Sequence, residues 1–136
     1  MINIIVRTDS NYPVNKSLIE STVLEVLQRY KIADKVEIGV TVVGERKMHQ
    51  INKKFRGVDS SANILTFALE DELPILTPVK GLNFKPFPDQ VRRLGDIVIS
   101  YQQIIEDSKL NGISIEEEFR QLLEHGVKHL LGKHTH

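Results

Sequence analysis

The sequence predicts an α+β fold: a single domain over residues 1–136 in which helices flank a mixed four-stranded sheet. Segments of strand and helix character alternate in the order β-α-β-α-β, and a proline-rich stretch then precedes one more strand and two helices. The chain has 136 residues, 40% of them apolar, and no cysteine. A chain of this length buries a core without disulfide bonds or a structural metal.

The first two elements are a strand and a helix. Residues 2–6 are rich in β-branched side chains, which favours a strand. Ser17 is a candidate N-cap, and Glu20 three residues later completes a capping box. We therefore expect a helix from Ser17 to about residue 30.

The middle of the chain holds two strands around a basic helix. Residues 36–43 alternate apolar with small or polar side chains, which predicts a half-buried strand. Residues 45–54 have helical character, and residues 63–69 are β-branched and aromatic. Residues 70–93 contain four of the five prolines and little periodicity, so we expect a long loop there.

The last third predicts a strand and two helices. Residues 94–100 read as the fourth strand and residues 101–110 as a helix. Ser114 caps the final helix, whose apolar arc includes Gly126, where a glycine indicates close approach to the sheet. Gly132 is the expected residue at which this helix stops in a left-handed conformation.

Composition limits the function classes. The formal net charge is zero, so the overall charge of the chain does not indicate a nucleic-acid partner. No apolar run approaches the ~20 residues that span a bilayer, and no signal-peptide pattern opens the chain, so we expect a cytoplasmic protein without a membrane partner. Without cysteine, a metal would be held by imidazole, carboxylate or water.

The histidines provide the candidate metal site. His125 and His129 lie four residues apart on the predicted final helix, so both imidazoles project from one side at the seam between core and surface. His134 and His136 follow the expected helix stop and supply a third ligand by way of the turn. Coincidence or a tag remnant is the alternative interpretation. A lone histidine such as His49 is more often solvated or satisfied by a neighbour.

The histidine spacing also matches the zinc-protease pattern H-E-x-x-H-x-x-G-x-x-H. Gly126 stands where that pattern requires a general-base glutamate. Without this carboxylate, peptide hydrolysis by the usual route lacks its proton acceptor. A protease is therefore disfavoured.

Three blocks of the chain carry a family resemblance. Residues 125–132 (HGVKHLLG) resemble the H-G-x-x-H-L-x-G-x-x-H signature of the YbeY family of bacterial endoribonucleases that mature ribosomal RNA. Residues 52–59 (NKKFRGVD) and 63–67 (NILTF) are similar to a second block of that family, and residues 94–100 (LGDIVIS) are similar to its L-G-D-I-x-I-S strand.

The resemblance implies a zinc-dependent, single-strand-specific endoribonuclease that acts in 3′-end maturation of small-subunit ribosomal RNA and in ribosome quality control. It implies one zinc ion per chain, held by His125, His129 and a third histidine. The family places that third ligand at position 135, which is a threonine here. His134, or alternatively His136, is then expected to replace it. Arg56 matches the family's arginine near the metal, a catalytic phosphate clamp.

The expected partner is single-stranded ribosomal RNA, with proteins of the small ribosomal subunit as further partners. Backbone contacts to RNA are expected from five basic residues: Lys53, Lys54, Arg92, Arg93 and Lys128. An ion pair of Arg56 with Asp59 or Asp96 is the alternative role for that arginine. The alternative functions are a catalytically impaired RNA- or ribosome-binding factor, or another zinc hydrolase. Water and the RNA 2′-hydroxyl both remain possible nucleophiles.

Overall fold

Four strands and four helices make up the computed structural model, which describes residues 2–9, 11–32, 35–68 and 92–134. Of residues 92, 133 and 134 it describes the backbone alone. The elements are β1 (Ile2–Thr8), α1 (Lys16–Arg29), β2 (Val36–Val43), α2 (Glu45–Arg56), β3 (Ile64–Ala68), β4 (Arg92–Ser100), α3 (Tyr101–Asn111) and α4 (Ile115–His134). The predicted α+β class, element order and mixed four-stranded sheet are confirmed.

The sheet has the order β1-β2-β4-β3. β1 pairs with β2 and β2 with β4 in parallel, whereas β3 pairs with β4 in antiparallel orientation. β2 was predicted to be half-buried, but seven of its eight residues are buried. The difference arises because β2 is a central strand with helices above and below it. β3 is an edge strand, so one side of its backbone is open to side chains from other elements.

The main core lies between one face of the sheet and helices α1 and α4. Its largest members from the helices and strands are fully buried, among them Leu27, Ile38, Ile97, Leu123 and Leu130. A second, smaller cluster lies on the opposite face beneath α2 and consists of Val43, Met48, Ile51, Phe67 and Val98, with Phe55 packed against it. β3 is therefore sandwiched between α4 on one face and α2 on the other.

Two elements begin at other residues than the sequence predicted. α1 begins at Lys16, because the side chain of Asn15 rather than Ser17 accepts a hydrogen bond from the Leu18 N–H at 3.0 Å. β4 begins at Arg92, inside the stretch predicted as loop; residues 70–91 of that stretch lie outside the described part of the chain. Among the described helices, none combines the length and apolarity needed to cross a membrane.

Candidate active site

His125 and His129 lie on the exposed side of α4. Their positions differ by about 40° around the helix axis, since each residue advances about 100°. Both residues are solvent-exposed. Within the described ranges neither imidazole makes a hydrogen bond or an ion pair. The structure thus presents two neighbouring ring systems whose nitrogens are open to a ligand.

Gly126 brings the histidine-bearing turn of α4 close to the sheet. A Cβ atom at this position would lie 3.1 Å from Cδ1 of Ile64, 3.2 Å from Cδ1 of Ile97 and 3.4 Å from Cγ2 of Thr66. The predicted close approach of Gly126 is confirmed. A glutamate here, as the zinc-protease pattern requires, would crowd the side chains of Ile64, Ile97 and Thr66, which would have to shift by a few tenths of an ångström.

The predicted stop of the last helix at Gly132 is wrong. α4 continues through Gly132 to His134, and Gly132 is not among the residues with positive φ. In an unbroken helix, position 134 lies about 180° around the axis from position 125. The side chain of His134 and the whole of Thr135 and His136 lie outside the described residues, and the described part of the chain holds no group of three metal ligands.

Arg56 is the last residue of α2 and reaches the open edge of β3. The helix ends because Gly57 adopts the left-handed conformation with φ 69°. The Arg56 guanidinium donates a hydrogen bond to the backbone carbonyl of Thr66, and its Cζ lies 4.9 Å from the centroid of the Phe67 ring. Arg56 is nevertheless an exposed residue.

The alternative in which Arg56 pairs with Asp59 or Asp96 is wrong. Asp59 pairs instead with His49 at 2.7 Å and with Lys53 at 4.0 Å. Asp96 pairs with Arg93. Within the described ranges no carboxylate lies in ion-pair contact with Arg56, so its positive charge is available to an anionic ligand.

Thr66 links the two halves of the site. Its backbone carbonyl accepts the hydrogen bond from Arg56, and its side-chain methyl carbon is one of the atoms that Gly126 approaches. Arg56 and the turn that carries His125 therefore meet the same residue of the edge strand from different sides. Sequence reasoning missed Thr66 and Phe67 because no local pattern shows which strand residue will lie beside a distant helix end.

His49 is an exposed histidine whose ring already has a hydrogen-bond partner. Its Nε2 lies 2.7 Å from Oδ1 of Asp59, and this hydrogen bond, with the nearby charges of Lys53 and His49, lowers the pKa of the Asp59 carboxyl. Asn52 makes a second hydrogen bond to this segment, because its side-chain amide donates to the backbone carbonyl of Ser60 at 2.9 Å. These contacts hold the segment between α2 and β3 against the helix.

The predicted RNA-binding residues divide into two groups. Lys53, Lys54 and Lys128 are exposed. The prediction that Arg93 contacts RNA is wrong. Arg93 is only 6% exposed, and its guanidinium is bound to both Glu37 and Asp96. The side chain of the fifth residue, Arg92, lies outside the described part of the chain.

Asp96 lies inside this buried ion cluster on β4. Burial raises the pKa of the Asp96 carboxyl, and the hydrogen bond and charge of Arg93 offset part of that rise. Gly39 on β2 leaves room for the cluster, since a Cβ atom there would lie 2.4 Å from Oδ1 of Asp96. Asp96 is thus committed to an ion pair within the sheet, which agrees with a supporting role rather than that of a base.

Comparison with known proteins identifies a family whose sequences are similar to this chain. Residues 5–136 match the sequence model of the family described as endoribonuclease YbeY. A protein named endoribonuclease YbeY from Roseiflexus castenholzii is 34% identical over 88% of this chain and 69% of its own length. Another of that name from Dehalococcoides mccartyi is 30% identical over 99% of this chain and 81% of its own length. The solution structure of a Thermotoga maritima protein shares the fold, with a TM-score of 0.56 and 18% identity over 93% of this chain and 71% of the other.

Proposed function

The chain belongs to the YbeY family, and from this premise we propose that it is a zinc-dependent, single-strand-specific endoribonuclease of the cytoplasm. Its substrate is the 3′ region of small-subunit ribosomal RNA, and it serves both maturation and quality control of the ribosome, alongside small-subunit proteins. The observation that carries the proposal is the arrangement around Thr66. The Arg56 guanidinium, which has no carboxylate partner among the described residues, binds the Thr66 carbonyl, and the turn of α4 that carries His125 packs against Thr66 through Gly126.

Helix α4 supplies two of the three histidine ligands that the proposed zinc site requires. Two neutral imidazoles one helical turn apart are suitable zinc ligands, and their exposure leaves room for further ligands. His134, or alternatively His136, is the proposed third ligand. A zinc ion bound there supplies Lewis-acid polarisation of a phosphoryl oxygen and activation of a water molecule. A continuous helix to His134 opposes ligation by that residue, so we expect the last turn of α4 to open at Gly132 when metal binds.

Arg56 is proposed to hold the scissile phosphate. A guanidinium presents five N–H groups in a planar fork that matches two phosphate oxygens. The Thr66 carbonyl occupies one side of the fork, and the exposed remainder faces solvent. Charge that develops on the phosphate during cleavage is stabilised by such a fixed cation.

Lys53, Lys54 and Lys128 are proposed to contact the RNA backbone on either side of this edge strand. All three are exposed, and Lys53 keeps 67% of its side chain accessible although it lies near Asp59. Contacts of this kind depend on salt and carry no base information. With a net charge of zero, attraction to RNA rests on this local group rather than on the whole protein.

A second candidate function is an RNA- or ribosome-binding factor without catalysis. Two observations favour it: Thr135 occupies the family's third-ligand position, and α4 stays helical to His134. This alternative keeps the RNA contacts and the fold but does not require metal.

Metal content and cleavage of RNA by the full chain decide between these functions. The protein is loaded with zinc, its metal is quantified by mass spectrometry, and single-stranded and duplex RNA are offered with and without chelator. The enzyme predicts about one zinc per chain and chelator-sensitive cleavage of the single strand only. RNA binding with neither zinc nor cleavage would establish the binding factor instead.

A further inference from the structure

We propose that Phe67 is a positioning residue for the reaction: its ring is a fixed platform that, together with the Thr66 carbonyl, holds the Arg56 guanidinium at the edge of β3. The expected effect of Phe67 on the reaction rests on the proposed function. The contact between Phe67 and Arg56 rests on geometry alone.

The contact between Arg56 and Phe67 has two components. The guanidinium carbon lies 4.9 Å from the ring centroid, within the range of a cation–π interaction. The Thr66 carbonyl accepts a hydrogen bond from the same guanidinium. An arginine side chain on its own samples many rotamers, so two contacts from successive strand residues restrict its orientation more than either would alone.

Phe67 is itself buried and closely packed. It is 1% exposed and packs in the cluster beneath α2. The ring of Phe55, the residue before Arg56, meets it edge-on at a centroid distance of 5.7 Å and an interplanar angle of 71°. The edge contact with Phe55 and the contact with the guanidinium are thus separate contacts of one buried ring.

Arg56 differs in this respect from the neighbouring cation. The Nζ of Lys54 lies 5.8 Å from the centroid of Phe55, but no described carbonyl or carboxylate binds that ammonium group. Lys54 is therefore an exposed cation that lies over the ring of Phe55 without a described hydrogen-bond acceptor. Arg56 is held in one place, as a clamp for one phosphate must be.

The test compares Phe67→Leu with Phe55→Leu in the full chain. Both remove one ring from the same cluster, but only the first removes the platform under Arg56. We expect Phe67→Leu to lower kcat roughly 5-fold, the scale of one lost cation–π contact, with KM and zinc content retained. Phe67→Tyr, which keeps the ring, should restore kcat. Equal loss of kcat in both leucine variants would overturn the proposal.

A double-variant cycle separates positioning from general damage to the core. In an Arg56→Ala background, Phe67→Leu should have no further effect on cleavage, because the residue acts through the missing guanidinium. If Phe67→Leu costs as much in that background as in the native chain, its role is structural and the proposal fails.

A spectroscopic arm does not depend on activity. Protons of the Arg56 side chain over the ring should show an upfield ring-current shift by NMR, and the shift should disappear in Phe67→Leu but not in Phe67→Tyr. Native protein without this shift would refute the platform. A native chain that shows the shift but cleaves no RNA would support the platform while refuting the proposed function.

Discussion

The two sides of β3 differ in how their functional groups are satisfied. On the α2 side, His49 is bound to Asp59, and Arg56 is held by the Thr66 carbonyl and the Phe67 ring. On the α4 side, His125 and His129 are exposed and have no hydrogen-bond or ion-pair partner among the described residues. Histidine therefore occurs in this molecule both with a carboxylate partner, at position 49, and without a partner among the described residues, at positions 125 and 129.

This difference distinguishes structural groups from groups that await a ligand. A histidine paired with a carboxylate has its ring orientation fixed by that partner and gains little from a metal. Two imidazoles on one helix side, with no hydrogen-bond or ion-pair partner among the described residues, give up no such contact when a metal binds them. The α2 side is thus expected to be preorganised, and the α4 side is expected to be completed by a metal ion.

The largest effect is expected from His129→Ala. Loss of one imidazole ligand should weaken zinc binding by at least about 100-fold, because loss of a residue that only supports a metal ligand already costs up to that much. RNA cleavage should be abolished. Because His129 is exposed, thermal stability without metal should hardly change. His49→Ala is the matched control and should keep both zinc and cleavage. Similar zinc loss in the two variants would remove the distinction between the two sides.

A smaller effect is expected from Gly126→Val. The three side-chain atoms already lie 3.1–3.4 Å from a Cβ at this position, so the added methyl groups must push α4 away from β3. The free energy of unfolding should fall by roughly 1–3 kcal/mol, as measured by urea denaturation.

Gly132→Ala is the control for that change. Apart from its chain neighbours and the backbone of its own helix, no described atom lies within 4 Å of a Cβ at Gly132, and alanine favours a helix, so stability without metal should rise by up to about 1 kcal/mol. The same change should weaken zinc binding if the last turn must open to supply the third ligand. Unchanged zinc affinity would show that this turn stays helical when metal is bound.

The smallest effect is expected from Asp59→Asn. His49 and Lys53 lower the pKa of Asp59 below its ordinary value of 3.8. A lowered carboxyl pKa in the folded state adds stability above the ordinary value, and this contribution disappears as pH falls through the lowered one. Native protein should therefore melt slightly above the variant at neutral pH and together with it at about pH 2. A difference that persists in acid would contradict the assignment.

The sequence predicted those features that depend on local pattern. Strand and helix order and the close approach at Gly126 follow from periodicity and from residue size. The stop predicted at Gly132 failed because a glycine permits a left-handed turn without requiring one. The ion pair of Arg93 with Glu37 was not predictable, since it depends on the register of β2 against β4, whereas Asp96 lies three residues further along the same strand.

The candidate site was predictable only in its residue types. The spacing of His125 and His129 and the isolated basic group around Arg56 are visible in the chain. That Thr66 lies between them depends on β3 being the edge strand, which is a property of the whole sheet.

Nitrogen NMR of the histidine rings during a zinc titration tests the central claim most directly. With one equivalent of zinc, the ring nitrogens of His125 and His129 should move together to the shifts of metal-bound imidazole, while those of His49 stay with Asp59. Zinc that leaves His125 and His129 unchanged, or that shifts His49 equally, would contradict the account.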